Sequence, residues 1–284
     1  MSEVTVERVL REVRQLPSLS VVVVEILDSF QNEAMQIPEL VRKISRDQAL
    51  AARVLRVANS AFYGFPSRIG SISEAVVVLG FHAVRSLALA AGIIHQFLPG
   101  NGRAFDLLAF WQHAIGVGVC ARVVANCRGL PSEEAFTAGL LHDIGRLVLD
   151  TYFRDEFQRV LEYRDAHDCT LLAAEKEVLG LDHAAIGYEV AHQWKFPQAI
   201  QVAIRDHHSP DGVPAPPTDV IHLANVLAHA LEIGNAGYDR VPPLSPAAWE
   251  RLGGNWEMLE SCLPEIERLN AGVNLLVAEG GAQE

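Results

Sequence analysis

The sequence predicts an all-α fold in two helical lobes, and three observations carry that prediction. Apolar residues recur at i, i+3, i+4 and i+7 through most of the chain, which is the spacing of one buried helix face. Serine, threonine or aspartate repeatedly stands just ahead of such a run, where a helix needs an acceptor for its free N–H groups. No segment reads as an obligate strand, and there is no internal repeat or low-complexity tract.

Leu16-Pro17-Ser18-Leu19-Ser20 is an opening turn whose proline fixes the chain and whose serine caps the next helix. Val21 to Val24 is β-branched and strand-like in isolation. Its continuation places Val23, Ile26, Leu27 and Phe30 on one face, which makes the segment a helix. Pro38 opens a helix through Ile44, and Asp47 caps a longer one with Leu50, Val54, Val57 and Ala58 on its inner face, stopped by Gly64. Ser71 to Glu74 fits a capping box that launches Ala75 to Leu79. After a break at Gly80 the chain resumes from Phe81 to Ile94, with a narrow seam of Val84, Leu87, Ala88 and Ala91 suited to close helix packing.

Pro99-Gly100-Asn101-Gly102 is the clearest turn before mid-chain. Helical patterns then cover residues 105–124, the run from Ser132 to His142, and 154–166, 171–179, 182–193 and 198–206. A Pro/Asp/Gly-rich loop over 209–217 precedes a helix from Asp219 to Leu231. From Gly234 the chain is expected to pack as an appendage with a final helix over 256–277, and the last seven residues are expected to fray.

The totals narrow the function. With 284 residues, half of them hydrophobic, the chain can bury one large core or two modest ones. A net charge of −12, with no basic run longer than Arg42-Lys43, argues against nucleic acid or an anionic membrane as a direct partner. The four cysteines show no paired spacing and read as small buried hydrophobes in a reducing compartment. The N-terminus has no signal-peptide core, and the most apolar stretch, 75–97, is interrupted by Gly80, His82, Arg85 and His95. The expectation is a soluble cytoplasmic protein.

The chemistry centres on Leu141-His142-Asp143-Ile144-Gly145-Arg146, an adjacent His-Asp pair inside an apolar helical run. Imidazole and carboxylate both ligate divalent ions, and burying them without partners is costly. Taken alone, the pair reads more readily as a helix end at which both side chains cap backbone groups. Further positions could converge on it: His113, His183 behind Asp182, the adjacent His207-His208 before Asp211-Gly212, and Asn225 on an apolar helix. His82, His95, His167, His192 and His229 are assigned to surfaces or satisfied core contacts.

This order, a His, then His-Asp, then a distal polar residue, resembles the HD metal-dependent hydrolase superfamily, with Asn225 where that family carries Asp. The extra histidines are similar to the HD-GYP branch, which cleaves cyclic dinucleotides. Arg146 replaces that branch's lysine, and Val213-Pro214 stands where Gly-Tyr-Pro would come next. The first half resembles the HDOD family through Leu16 to Leu19, Ile44 to Leu50, Leu55 to Tyr63 and Ile72 to Gly80. The resemblance covers residues 10–230, with lobes at 10–98 and 103–231 and the appendage at 234–284. It implies an all-helical bacterial signalling module that has commonly lost catalytic ligands and acts by binding signalling proteins.

Charge weighs against a two-metal enzyme. Two dications about 4 Å apart at an effective dielectric near 20 repel by about 16 kcal/mol before ligands neutralise them. The set supplies one sure carboxylate, Asp143. His113, His142, Asp143, His183, His207, His208 and Asn225 are the candidate ligands for one metal ion (Fe, Mn, Zn or Ni), and three readings stand: a non-catalytic signalling or scaffold module that binds partner proteins through its helical surface, with or without that ion; a metal-dependent phosphohydrolase acting on a nucleotide or cyclic dinucleotide; and a sensor that binds metal or nucleotide without turnover.

Overall fold

The structure, a computed structural model, describes residues 5–16, 18–30, 35–59, 65, 67–96, 106–212, 214–234 and 240–278. Among these, sixteen helices and no strand occur. The predicted stop at Gly64, the turn over Pro99 to Gly102 and the fraying of 279–284 lie outside the described residues.

Helix α1 (Val6–Arg14) is one that the sequence reading passed over. Thr5 Oγ1 accepts from Arg8 N at 3.2 Å, Glu7 lies in the first turn, and Arg11 and Arg14 lie in the last, as the helix dipole favours. It lies against the helix over His183–Gln193, and Arg8 pairs with Glu156 of the helix over Arg154–His167. Helices α2 (Val21–Asp28), α3 (Ile37–Arg46), α4 (Gln48–Ala58), α5 (Ile72–Leu79) and α6 (Phe81–Gln96) pack on one another.

Their capping matches the sequence pattern. Ser20 accepts from Val23 N, Asp47 from Leu50 N at 2.9 Å, and Ser71 from Glu74 N at 3.1 Å. Glu74 returns its carboxylate to Gly70 N, one residue earlier than a capping box requires. The β-branched Val21 to Val24 is helix because Val23, Ile26 and Leu27 need one common buried face, which only the 3.6-residue period supplies. Gly80 breaks α5 from α6 at φ +90°, in a region open to glycine.

The second half is built on α7 (Leu107–Cys127), against which α8 (Ser132–Leu141), α14 (Pro216–Ala230) and α16 (Trp256–Ala278) all pack. Between them run α9 (Ile144–Tyr152), α10 (Arg154–His167), α11 (Leu171–Leu179), α12 (His183–Gln193) and α13 (Gln198–Asp206), with the short α15 (Pro246–Arg251) beside α14. Helix α14 starts three residues before the expected Asp219, because its two prolines occupy the first turn, where a missing N–H costs nothing. The cysteine reading needs correcting: Cys120 and Cys262 are buried, but Cys169 is half-buried and Cys127 is exposed at the end of α7.

Candidate metal centre

His142 and Asp143 form the turn between α8 and α9. Capping explains only half of this turn. His142 Nδ1 bonds the Gly139 carbonyl at 2.7 Å, whereas Asp143, at the N-cap of α9, makes no side-chain capping bond. Its carboxylate turns inward instead, 1% exposed.

Glycine contacts bring the remaining groups to it. Helices α9 and α12 cross backbone to backbone: a Cβ on Gly145 would lie 2.0 Å from the His183 carbonyl oxygen and 2.8 Å from Gly187 N. Helices α7 and α8 meet in the same way, with a Cβ on Gly139 only 2.9 Å from Gly118 Cα. The first crossing sets His183 against Asp143, and the second sets His113 against His142, their rings 5.4 Å apart.

The imidazoles are oriented from behind. His142 Nδ1 bonds Gly139 O, His207 Nδ1 bonds Ile204 O at 2.7 Å, and His183 Nδ1 bonds the buried Glu175 Oε2 at 2.6 Å. Each acceptor assigns the proton to Nδ1 and turns Nε2 toward Asp143. The Nε2 to carboxylate distances are 3.3 Å for His142, 3.0 Å for His183 and 3.6 Å for His207. His208 Nε2 is 2.9 Å from His183 Nε2, and Arg146 Nη1 is 3.1 Å from Asp143 Oδ2.

Two overlapping sets of ligand atoms result, each within 4.8 Å: Asp143 with His183, His207 and His208, and Asp143 with His113 and His142. Asn225 is buried on α14 with Oδ1 unpartnered, one helical turn before His229, whose ring stands 4.6 Å from that of His113.

Electrostatics separates the groups. Burial would raise the Asp143 carboxyl, but the Arg146 guanidinium, with His142 and His183, holds it well below the usual carboxylate range. Burial works against a charge on His183 too, yet the Glu175 carboxylate outweighs it and the imidazole is pushed up to about 9. His207 is lowered to about 4 by burial, and His113 and His208 are lowered well below their ordinary value for the same reason, aided by neighbouring histidines.

The centre fits a metal ion on one observation. His113 Nε2, His142 Nε2 and His207 Nε2 are buried with no hydrogen-bond partner, around a carboxylate held by ion pairing to Arg146 and His183. Each orphan nitrogen costs roughly 1–3 kcal/mol, so the three together are a large fraction of the stability of a typical domain. A cation shared by these lone pairs removes that cost.

Some polar neighbours serve other ends. His222 donates from Nδ1 to His207 O at 2.7 Å and accepts at Nε2 from Ser245 N at 2.9 Å. Asp206 is paired with Arg205, and Asp211 accepts from Ser245 Oγ. His167 bonds Tyr163 O and stacks on that ring, and His82 is exposed. His229, half-buried, stands with its ring against that of His113. The sequence reading also missed Glu175, although a glutamate between Leu171 and Leu179 on the buried face of α11 was a legible signal.

Comparison with known proteins agrees with this architecture. A family model described as HDOD domain matches residues 16–210. An HDOD domain protein with unknown function from Geobacter sulfurreducens superposes with a TM-score of 0.82 at 26% identity, covering 96% of this chain and 99% of that one. A candidate phosphohydrolase from Shewanella amazonensis SB2B gives 0.76 at 26% identity, covering 94% and 96%. A candidate signal transduction protein from Marinobacter aquaeolei VT8 gives 0.79 at 25% identity, covering 95% and 60%. The chain spans under half the length of the curated relatives it matches; one is Ribonuclease Y of Aquifex aeolicus (strain VF5), 25% identical over 235 residues, 81% of this chain and 32% of that one.

Proposed function

Because the chain belongs to the HDOD domain family, we propose that it is a signalling module whose histidine cluster holds one metal ion and binds without hydrolysing. His113, His142, Asp143, His183, His207 and His208 are the proposed ligands, with Asn225 as a neutral carbonyl donor nearby. Bound there, a divalent Fe, Mn, Zn or Ni ion would supply Lewis acidity and a fixed positive charge.

The observation that carries this reading is the guanidinium at the centre. Arg146 sits 3.1 Å from the one carboxylate common to both sets of ligand atoms, and Glu175 is engaged with His183. With neutral imidazoles, Asp143, Glu175 and Arg146 leave one net negative charge. A single dication turns that into one positive charge; a second raises it to three, in a site where mutual repulsion runs to about 16 kcal/mol. Burial points the same way, because His142, His183 and His207 are 0% exposed and only His208 reaches toward solvent. Glu175 and the Gly139 and Ile204 carbonyls hold the imidazoles in the ligating tautomer, so the chain's own contribution is orientation.

A second reading, a phosphohydrolase acting on a nucleotide or cyclic dinucleotide, is favoured by His208, through which a phosphate could approach. Metal analysis and phosphodiesterase assays with added Mn or Fe decide between the two. The binding module predicts one metal ion per chain and no turnover, even in Asn225→Asp; a chain that takes up no metal, or turnover by the unmodified protein, overturns it. In the double variant His142→Ala, Asp143→Ala, metal should be lost while the N-terminal helices stay folded. Unchanged metal content there would put the ion elsewhere.

A further inference from the structure

Three of the four cysteines lie along the seam between α7 and α16, away from the histidine cluster. Cys120 and Cys127 are seven residues apart on α7, hence on one face, and Cys262 comes from α16. The Cys262 thiol donates to Cys127 with the two sulfur atoms 2.8 Å apart across 135 residues of sequence. Their accessibilities differ sharply. Cys262 is 0% exposed, whereas Cys127 is exposed at the last position of α7, next to Arg128.

We propose that Cys127 and Cys262 form a reversible disulfide that locks α16 onto α7, with a hydroperoxide as the oxidant. Oxidants reach an exposed cysteine before a buried one. Burial pushes the Cys262 thiol up to about 12, so it waits as the resolving partner.

The step balances. The Cys127 sulfur attacks one peroxide oxygen, the O–O bond breaks, and an alcohol (water, for hydrogen peroxide) leaves with the thiol proton, giving a sulfenic acid. The Cys262 sulfur then attacks the Cys127 sulfur, the S–O bond breaks, and the hydroxyl departs as water with the Cys262 proton. Two thiols have lost two electrons and two protons, and the hydroperoxide has gained them. Cys120 is buried and its thiol is likewise pushed up to about 12 by burial, while Cys169 lies at the start of α11, away from this seam. The bond is therefore specific to one pair, and in a reducing compartment a bond of this kind forms transiently, as a sensor.

The full-length protein is treated with hydrogen peroxide, quenched, alkylated and digested for mass spectrometry. The expected product is a peptide joining Cys127 to Cys262, two hydrogens lighter than its parts and separated again by dithiothreitol. Oxidation should raise Tm by roughly 5 °C or more and slow tryptic cleavage at Arg268 several-fold. Cys127→Ser, at an exposed position, should fold normally and lose the cross-link and both shifts; Cys262→Ser should lose the cross-link as well. Oxidation of Cys127 to sulfinic acid without linkage, pairing of Cys262 with Cys120, bonding between two chains, or a cross-link with no change in Tm would each overturn the proposal.

Discussion

Replacing Gly145 with alanine tests whether the α9–α12 crossing builds the centre. The added Cβ would lie 2.0 Å from the His183 carbonyl oxygen, and ordinary contact begins near 3.4 Å, so the helices must part by about 1.4 Å. Carried to the side chains, that displacement stretches the 3.0 Å separation of His183 Nε2 and Asp143 Oδ1 beyond 4 Å. Metal–ligand distances tolerate about 0.2 Å, so His183 would leave the ligand set and metal affinity should fall by ~100-fold or more. Overpacking should also cost about 1–3 kcal/mol, a fall in Tm of roughly 3–10 °C. Plasma mass spectrometry with a chelator competition reads the first effect, and a circular-dichroism melt of the metal-free protein reads the second. Gly212→Ala is the control, since a Cβ there meets nothing within 4 Å. Gly145→Ala with unaltered metal affinity and Tm would refute the reasoning.

Three further expectations concern single side chains. In metal-free protein the raised pKa of His183, about 9 against 6.5, gives stability that is complete below pH 6.5 and fades as pH rises through 9. His113, His207 and His208 are lowered and act below 6.5, so Glu175→Gln should flatten Tm against pH between 6.5 and 9; an unchanged slope in a fluorimetric melt would contradict this. Asn59→Ala removes bonds from one amide to Leu55 O, Ile69 O and Ile69 N, all 2.7–2.8 Å, and should cost about 1–3 kcal/mol in urea unfolding. His222→Leu orphans His207 O and Ser245 N, loosening the turn that carries His207 and His208. Metal affinity should drop about tenfold in a chelator titration while helix content is retained.

Most helices were legible because their signals are local. Ser20, Asp47 and Ser71 cap where a short polar side chain precedes an apolar period, and Leu50, Val54 and Ala58 are buried as their spacing requires. Helix α1 was harder to read. With charged residues interleaved it looks like a solvated segment, and its buried face, Val9 and Val13, is defined only by docking near α12 and by the Arg8–Glu156 pair. The Val21 to Val24 run shows local propensity yielding to burial, since a strand would have split Val23 from Ile26 and Leu27.

By itself the sequence determined the helices, the caps and the residue types available for a centre, because these depend on neighbours within a turn or two. It could name His142-Asp143, His183 and His207-His208 as candidates but not say whether their rings meet. Tertiary structure decided that, through glycines at two helix crossings that bring backbones close enough for Nε2 atoms from α7, α12 and the turns after α8 and α13 to converge on one carboxylate. It also placed Arg146 on that carboxylate and Glu175 behind His183. Charge balance at a buried site is a sum over groups distant in sequence, set only once the chain has folded around it.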